Sequence, residues 1–442
     1  MSNNLNSYIS VDKSIKILLK NIKLSRKTDL VSVFEALGRI LEEDIISTRN
    51  VPSYNTSHMD GFAIRSEDTA CASPDTPVFL KVSNHKTNWG TSSNYHPFHD
   101  KGEAHRIHTG AHIPSGSDTV VPIEDVVVLD DKYEIKITKF LKKGSFVYQA
   151  GSDIKKDKKV MNKGQVIRAQ HIGLLATLQM STVTVYQKPI ISIIPTGSEL
   201  TDDIEEANNN NNNNNNNNQQ TKVVNTNSHI ISCLIRELGG SPIDMGITPD
   251  SIDILREKIM KGLRISDLVL TIGGTSAGEH DIVKSTINQI GSPGMIANKV
   301  KLDRGRVAGI AAIEQKPIIV LPGPVQGALN AFIVFARPLM SLLSGRNDVN
   351  NFTLSAMLDQ DWVARKKFRT FRKILYVKLS KIKPENNFIA KPIIGETQSI
   401  SLLSEANAFV VIPEEVSELY KGDRVEVNLL PGFSYMHDFQ VI

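Results

Sequence analysis

The sequence predicts a multidomain α/β plus β protein built around a parallel sheet. Its 442 residues exceed the length at which one hydrophobic core usually keeps growing, so about two to four domains are expected. Between residues 188 and 346, short apolar runs typical of buried strands alternate with helical segments. That alternation indicates a parallel sheet covered by helices on both faces. On either side, short β-type runs indicate further β-rich modules.

The composition limits the possible partners. Hydrophobic residues make up 40% of the chain and charged residues 22%, as in an ordinary globular protein. The net charge of +4 is too small and too evenly spread to favour nucleic acid. The N-terminus is polar, and no apolar run approaches the about 18 residues of a membrane span. We therefore expect a cytoplasmic protein that binds neither nucleic acid nor membrane. Cys71 and Cys233 lack a CxxC partner, which argues against a thiolate zinc site.

The first half of the chain combines helical and β patterns. Two apolar stripes at helical spacing predict two amphipathic helices over residues 11–43, and a further helix is predicted over 171–178. Residues 51–147 show short β-type runs, such as 77–82 and 133–137, separated by turn residues. This texture predicts a small β-rich module.

The second half carries the alternating pattern. Buried strands are predicted at 190–195, 241–246, 267–272 and 317–321, and helices at 228–238, 251–263 and 328–343. Strand-like runs at 374–379 and 408–412 predict a compact C-terminal β module. An asparagine run at 208–218 cannot bury enough apolar surface to order itself, so it predicts a disordered surface loop.

Three of the predicted strands end in segments suited to an anionic ligand. The segments are PTGSEL (195–200), TIGGTSAGEHD (271–281) and LPGP (321–324). In open α/β sheets ligands bind beyond the carboxyl ends of the strands, and glycines there allow the backbone to approach phosphate oxygens closely. Glu279 and Asp281 would repel phosphate unless a divalent cation bridges them. For a single segment, a glycine turn with a capping acid is the better explanation, but three such segments in one sheet favour a site.

Two more motifs stand in the N-terminal half. They are DGFA (60–63), with an acid before a glycine, and the hydroxyl- and glycine-rich segment TGAHIPSGSD (109–118). Taken singly, each is more often a turn than a site. In order along the chain, DGFA, TGAHIPSGSDTVVPIED, AGSDI, PTGSEL, NTNSHIISCLIRELGG, TIGGTSAGEHDIVK and LPG resemble the molybdopterin molybdenumtransferases. This family includes bacterial molybdenum-insertion enzymes and the C-terminal domain of gephyrin. The resemblance runs from about Ile9 to the C-terminus, apart from the asparagine tract.

The resemblance implies four domains and a homodimer. Its site is expected where the sheet domain of one subunit faces the N-terminal part of the other. The implied domains are a helical and β linker region (1–50 and 148–187), an inserted β module (51–147), a molybdopterin-binding α/β domain (188–346, with a disordered loop at 205–222) and a C-terminal β barrel (347–442).

The resemblance also implies the reaction and the site. Molybdenum from molybdate is inserted into adenylylated molybdopterin, AMP is released, and a divalent cation, Mg²⁺, assists. The implied catalytic residues are Asp60, Thr109, Asp153, Glu199, Asp250 and Asp281, of which Glu199, Asp250 and Asp281 would hold the metal. The implied cofactor-binding residues are Gly273, Gly274, Ser276, Gly278, Lys299, Gly305, Arg306, Pro322, Gly323 and Ser399. Because molybdate is a tetrahedral dianion, hydroxyls and cations among these residues are expected to hold it.

The chain departs from the family pattern at several positions. Residues 303–307 (DRGRV) replace the PGKP string, so that Asp303 stands where the family has a lysine. The LPGNPVSA string has lost its Asn and Ser at 321–328, and Ser198 and Tyr148 replace an acid and an arginine. One alternative is therefore a diverged paralogue that binds molybdopterin or an oxyanion without inserting metal. A structural scaffold and the related adenylyltransferase are less favoured, since the chain is barely longer than a catalytic core yet keeps the N-terminal and barrel regions.

Overall fold

The computed structural model describes residues 8–83, 100–129, 133–212, 222–274, 281–346, 353–381, 387–396 and 398–431. The helices in these ranges are α1 (Val11–Asn21), α2 (Ala169–Thr177), α3 (Ile204–Asn212), α4 (Thr226–Glu237), α5 (Ile252–Ile265), α6 (Ile282–Ile290), α7 (Val325–Ala331), α8 (Arg337–Leu343) and α9 (Ile400–Glu405). A π-helical segment, Phe332–Ala336, joins α7 to α8.

The strands fall into the three β-containing regions that the sequence predicts. Those of the N-terminal half are β1 (Thr28–Ser32), β2 (Ile45–Ile46), β3 (Thr56–Ser57), β4 (Gly61–Ile64), β5 (Val78–Val82), β6 (Glu103–Ile107), β7 (Thr119–Pro122), β8 (Val126–Leu129), β9 (Glu134–Ile137), β10 (Val147–Tyr148), β11 (Lys159–Met161) and β12 (Thr182–Tyr186). The α/β region contains β13 (Ile190–Pro195), β14 (Leu200–Thr201), β15 (Val223–Val224), β16 (Ser241–Asp244), β17 (Leu268–Ile272), β18 (Pro293–Ala297), β19 (Gly309–Ile313) and β20 (Lys316–Leu321). The C-terminal region contains β21 (Thr353–Leu358), β22 (Trp362–Val363), β23 (Lys373–Lys381), β24 (Phe388–Pro392), β25 (Ala408–Ile412), β26 (Glu418–Leu419) and β27 (Arg424–Leu429).

A six-stranded sheet in the order β16-β13-β17-β20-β19-β18 forms the centre of the α/β region. The four strands β16, β13, β17 and β20 are parallel, as predicted. Apolar side chains of α4, α7 and the π segment pack on one face, and those of α5 and α6 on the other. The predicted parallel sheet with helices on both faces is confirmed.

The edge of this sheet differs from the prediction. β18 and β19 were not predicted, and they add antiparallel strands beyond β20. A two-residue turn of Glu314 and Gln315, both at positive φ, joins β19 to β20. Such turns match the twist of a hairpin but usually carry Asn or Gly, so the residues at this turn do not predict a hairpin.

The long helix from Val325 to Leu343 forms much of the core. By length and composition it could cross a membrane, yet 61% of its most apolar window is buried inside the molecule. Phe332 and Phe335 in the π segment are each 1% exposed. The helix therefore belongs to the protein core.

The N-terminal region folds partly against expectation. α1 forms as predicted, and its Val11 and Leu18 are buried in the core of the α/β sheet. The second predicted helix is wrong: its residues form β1, which pairs antiparallel with β12, and a 3₁₀ turn over Val33–Glu35. The predicted stripe does not form one buried face, because Val33 and Leu41 are buried whereas Phe34 and Leu37 are 74% and 63% exposed.

The two flanking β regions form separate sheets. In the N-terminal half, six strands pair in the order β7-β4-β6-β5-β9-β8, which gives the predicted β-rich module. In the C-terminal region, β21, β24, β23, β25 and β27 close into a barrel. The barrel confirms what the family resemblance implied. The domain boundaries given above stay a prediction.

The asparagine-rich segment starts as a helix rather than a loop. α3 covers Ile204–Asn212, which corrects the prediction of disorder from residue 205. The Asp203 carboxylate caps the first turn by accepting the backbone N–H groups of Glu205 (2.8 Å) and Glu206 (3.1 Å). Ala207 is buried and anchors the helix. The rest of the tract, residues 213–221, lies outside the described residues.

The π segment provides a test of where the core lies. Replacing Phe335 with alanine should lower the free energy of unfolding by about 3–5 kcal/mol, because a fully buried ring leaves a cavity. Phe140→Ala is the matched control, since Phe140 is 52% exposed and its loss should cost less than about 1 kcal/mol. Urea unfolding followed by circular dichroism measures both. Equal losses in the two variants would contradict this assignment of the core.

Candidate active site

Four strand ends of the α/β sheet meet at one edge. The Thr196 N–H donates to the carbonyl of Ile272 (2.8 Å), and the Gly273 N–H donates to the carbonyl of Leu321 (3.0 Å). On the other side, the Gly197 N–H donates to the carbonyl of Thr248 (3.0 Å). The hydrogen-bond ladder therefore continues past the strands. It brings the three predicted segments together at the carboxyl edge, where open α/β sheets bind ligands.

Glycines make this close approach possible. Gly273 and Gly274 have φ of +86° and +64°. A Cβ on Gly273 would lie 2.6 Å from the carbonyl oxygen of Thr196, and one on Gly274 would lie 2.6 Å from the Thr196 Oγ1. The two positions thus require glycine for both conformation and space. Gly323 borders them, since a Cβ there would be 3.9 Å from the Cα of Gly273. The loops present backbone rather than side chains toward the edge.

Carboxylates flank this backbone surface. The Glu199 carboxylate folds back over Gly197, where a Cβ would lie 2.6 Å from its Oε1. The Asp250 N–H donates to the Ser198 hydroxyl (3.1 Å), which joins the Glu199 loop to the Asp250 loop. The third acid, Asp281, is the N-cap of α6, and its carboxylate accepts the N–H of Lys284 (2.9 Å).

The environment of Asp281 alters its chemistry. Burial raises the pKa of the Asp281 carboxyl, although the N–H and the charge of Lys284 oppose the shift. Within the described ranges, no three His, Cys, Asp or Glu side chains are arranged to hold a metal ion. Glu199, Asp250 and Asp281 thus border one edge without enclosing a cation. Their role as metal ligands stays a prediction.

The structure adds two residues that the sequence analysis did not single out. The Asn227 amide donates to the carbonyl of Gly323 (2.6 Å) and so ties the start of α4 to the β20 loop. The Lys222 ammonium donates to the carbonyl of Ser198 (3.0 Å). The signal for Asn227 was present in the NTNSH segment, where an amide side chain stands at the start of a predicted helix.

The segment that departs from the family pattern lies against the C-terminal region. Asp303 forms an ion pair with Arg365, and Arg304 donates a hydrogen bond to Gln326. Burial and the nearby charge of Arg365 lower the pKa of Arg304. The negative charge at Asp303 is therefore balanced from the other domain. Gln326, in the altered segment at 321–328, holds Arg304 in place.

The other predicted binding residues are spread over the neighbouring loops. Gly305 packs against Leu302, where a Cβ would lie 2.6 Å from the Cδ2, and the exposed Arg306 guanidinium lies 5.6 Å from the ring centroid of Phe368. The Lys299 carbonyl accepts the N–H of Ile9 (3.1 Å). Pro322 is buried at the end of β20.

Ser399 is the N-cap residue of α9. This helix contacts α7, the helix that follows the β20 loop. Ser276 and Gly278 lie outside the described residues, as does Glu279.

Asp60 and Thr109 form a second cluster in the N-terminal half. The Asp60 carboxylate accepts both the N–H (2.7 Å) and the hydroxyl (2.9 Å) of Thr109, so the fold brings the DGFA and TGA motifs into contact. The Thr109 N–H is the main cause of a lowered pKa for Asp60, and His108, 3.9 Å away, adds to the shift. Asp153 lies on the turn after β10, and its backbone N–H donates to the carbonyl of Val51 (3.1 Å).

Comparison with known families matches three models in order along the chain. The model of the MoeA N-terminal region (domain I and II) matches residues 9–178. The model described as "Probable molybdopterin binding domain" matches residues 192–341, and that of the MoeA C-terminal region (domain IV) matches residues 356–430. The three models together span the linker, inserted, sheet and barrel regions.

Individual proteins agree with these models over nearly the full length. The chain is 29% identical over 427 residues to a molybdopterin molybdenumtransferase of Staphylococcus epidermidis, covering 97% of each protein. It is 27% identical to that of Bacillus subtilis, covering 96% of this chain and 94% of the relative. A crystal structure of a molybdopterin biosynthesis MoeA protein from Pyrococcus horikoshii superposes with a TM-score of 0.78 at 28% identity, covering 96% of this chain and all of the other.

The Asp60 cluster makes a titration prediction. Because the pKa of Asp60 is lowered, its carboxylate should stay ionised, and its contact with Thr109 intact, until the pH falls through that lowered pKa. Thr109→Val removes the hydroxyl but keeps the N–H, so it should move the pKa part of the way back toward the ordinary value. NMR of selectively labelled aspartate follows this titration. His108→Gln is the control and should have a smaller effect; an unchanged pKa in Thr109→Val would refute the assignment.

Proposed function

The chain belongs to the molybdopterin molybdenumtransferase family, MoeA, and from that premise we propose that it inserts molybdenum from molybdate into adenylylated molybdopterin with release of AMP. The observation that carries the proposal is the glycine-lined edge of the sheet flanked by Glu199, Asp250 and Asp281. An adenylylated pterin contains a pyrophosphate, and backbone loops at strand ends are suited to phosphate oxygens.

Each part of the site has a proposed task. Gly273, Gly274 and Gly323 leave room for the phosphate-bearing part of the substrate to approach the backbone. Asn227 fixes the β20 loop through the Gly323 carbonyl. Molybdate is assigned to cationic and hydroxyl groups around this edge, namely Thr109, Lys299, Arg306 and Ser399. Asp60 and Asp153 are assigned to the same reaction from the N-terminal half.

The carboxylates at this edge fit a magnesium ion only if phosphate oxygens of the substrate complete its coordination. Mg²⁺ is commonly held by one or two carboxylates together with substrate phosphates. Glu199, Asp250 and Asp281 offer hard oxygen donors at one edge but no closed ligand group among the described residues. When bound, the ion would neutralise charge on the pyrophosphate. Because the pKa of Asp281 is raised by burial, this carboxylate would be fully charged only at a higher pH than an ordinary aspartate.

The proposed assembly is a homodimer in the cytoplasm. The hydrogen bonds that Asp60 makes with Thr109 and with the Ile123 N–H, and its contact with His108, all lie within the N-terminal half. A second subunit would bring such a cluster opposite the strand ends of its partner. Leu30, Phe34 and Leu37, exposed by 71%, 74% and 63%, lie on one short stretch and offer an apolar contact surface. The thiols of Cys71 and Cys233 are free, as expected in a reducing compartment.

The alternative is a diverged paralogue that binds the pterin or an oxyanion without inserting metal. The altered segment at 303–307 motivates it. Two contacts argue against this alternative, because they show that the altered residues are held in place. Asp303 forms an ion pair with Arg365, and Arg304 donates a hydrogen bond to Gln326. We therefore favour insertion.

Reconstitution tests the reaction. Purified protein, adenylylated molybdopterin, molybdate and magnesium should release AMP in a molybdate-dependent manner and activate an apo-molybdoenzyme. Asp281→Ala should lower the rate at least about a hundredfold, as expected for loss of a group that stabilises the transition state. The control is Asp253→Ala, on α5 with a side chain 92% exposed, which should retain full activity. Pterin binding without AMP release in the wild type would support the paralogue instead.

The dimer is tested separately. Light scattering after gel filtration should give twice the mass of one chain. Phe34→Asp should shift the population toward monomer, because a charge in an apolar interface must lose its water. Phe140→Asp, at a 52% exposed position of the inserted module, is the matched control and should remain dimeric. A monomeric wild type at micromolar concentration would rule out the proposed assembly.

A further inference from the structure

An apolar groove of about 480 Å³ lies between the α/β region and the C-terminal region. One wall is α4, which contributes Ile230 and Leu234; the floor is the π segment with Phe332 and Ile333; the other wall is α9 with Leu403. A groove of this size and lining matches the range of sites that bind apolar groups. It lies outside the site described above, which is formed by the strand-end loops.

The described chain reaches its last residue in this groove. Pro431 follows β27 and itself lines the groove. It is followed by Gly432, and a Pro-Gly pair is a turn-forming dipeptide. This pair favours a change of chain direction at the groove.

The sequence that follows is suited to an apolar groove. Residues 432–442 read GFSYMHDFQVI. Every second position from 433 is Phe433, Tyr435, His437, Phe439 and Val441, so four of these five are aromatic or apolar, whereas the intervening positions include Ser434, Asp438 and Gln440 beside Met436 and Ile442. In an extended segment such a period of two places these side chains on one face. At about 3.3 Å per residue, these 11 residues could span about 36 Å, enough to cross the groove from Pro431.

We propose that the segment 432–442 docks in this groove and clamps the C-terminal region to the α/β region. Burial of its aromatic side chains against Ile230, Phe332 and Leu403 supplies the driving force. Tethering at Pro431 favours this occupant over a free partner, because a linked segment is present at a high effective concentration. The docked segment contacts both α4, whose Asn227 holds the Gly323 loop, and α9, which follows Ser399.

A thiol on the groove provides the measurement. Cys233 is exposed and lines the groove, and the other cysteine of the chain is Cys71. In a Cys71→Ser background, alkylation of Cys233 by a small maleimide reports whether the groove is covered. Cys233 in the full chain should react at least about ten times more slowly than in a chain that ends at Pro431. The reason is that the docked segment must open locally before the maleimide reaches the thiol.

Two further samples keep the test independent of folding defects. Phe433→Ser with Phe439→Ser should speed the reaction as truncation does, whereas Ser434→Ala with Gln440→Ala should leave it slow. A synthetic peptide of residues 432–442 added to the truncated chain should restore protection, and the peptide with both phenylalanines replaced by serine should not. Equal alkylation rates in the full and truncated chains would overturn the proposal. Protection that persists after truncation and increases with protein concentration would also overturn it, since a second copy would then cover the groove.

Discussion

The register of the parallel strands is the constraint on which the site depends. The backbone hydrogen bonds from Thr196 to Ile272 and from Gly273 to Leu321 extend the ladder beyond β13, β17 and β20. Contacts of 2.6 Å that any Cβ at Gly273 or Gly274 would make with Thr196 show how closely the loops then lie. A side chain at either glycine would force the strand ends apart and displace the flanking carboxylates. The packing that sets the strand register therefore also sets the positions of the loops and carboxylates of the site.

The segment at 303–307, where the chain departs from its family, connects three regions of the protein. The Asp303 N–H donates to the carbonyl of Arg372 (2.8 Å), and the Asn330 amide donates to the carbonyl of Asp303 (3.1 Å). Arg372 in turn makes a bidentate contact with Asp12 of α1, at 3.0 and 2.8 Å. The segment therefore joins the N-terminal helix, the sheet and the C-terminal region. A charge inversion there is tolerated because Arg365 supplies the opposite charge.

The two clusters of acids occupy opposite electrostatic environments. Asp60 accepts two hydrogen bonds from Thr109, which favour its charged form and lower its pKa. Asp281 is partly buried at the start of α6, which disfavours its charged form and raises its pKa. Environments that separate the pKa values of two carboxyls are a common basis for distinct roles in one reaction. In the proposed homodimer, these two acids would face one cleft from different subunits.

The sequence by itself determined the class of fold, the parallel core strands and the motifs that border the site. Hydrophobic periodicity located β13 and β17 within one residue, because buried strands must be continuously apolar. It misplaced the second N-terminal helix. Phe34, Leu37 and Leu41 repeat at helical spacing, yet Phe34 and Leu37 are exposed, and the pairing of β1 with β12 decided the conformation at the start of this segment. Tertiary structure alone decided that Arg365 balances Asp303, that Gln326 holds Arg304 and that Asn227 fixes Gly323. These partners are far apart in sequence, and local patterns carry no information about which distant side chains the fold will bring together.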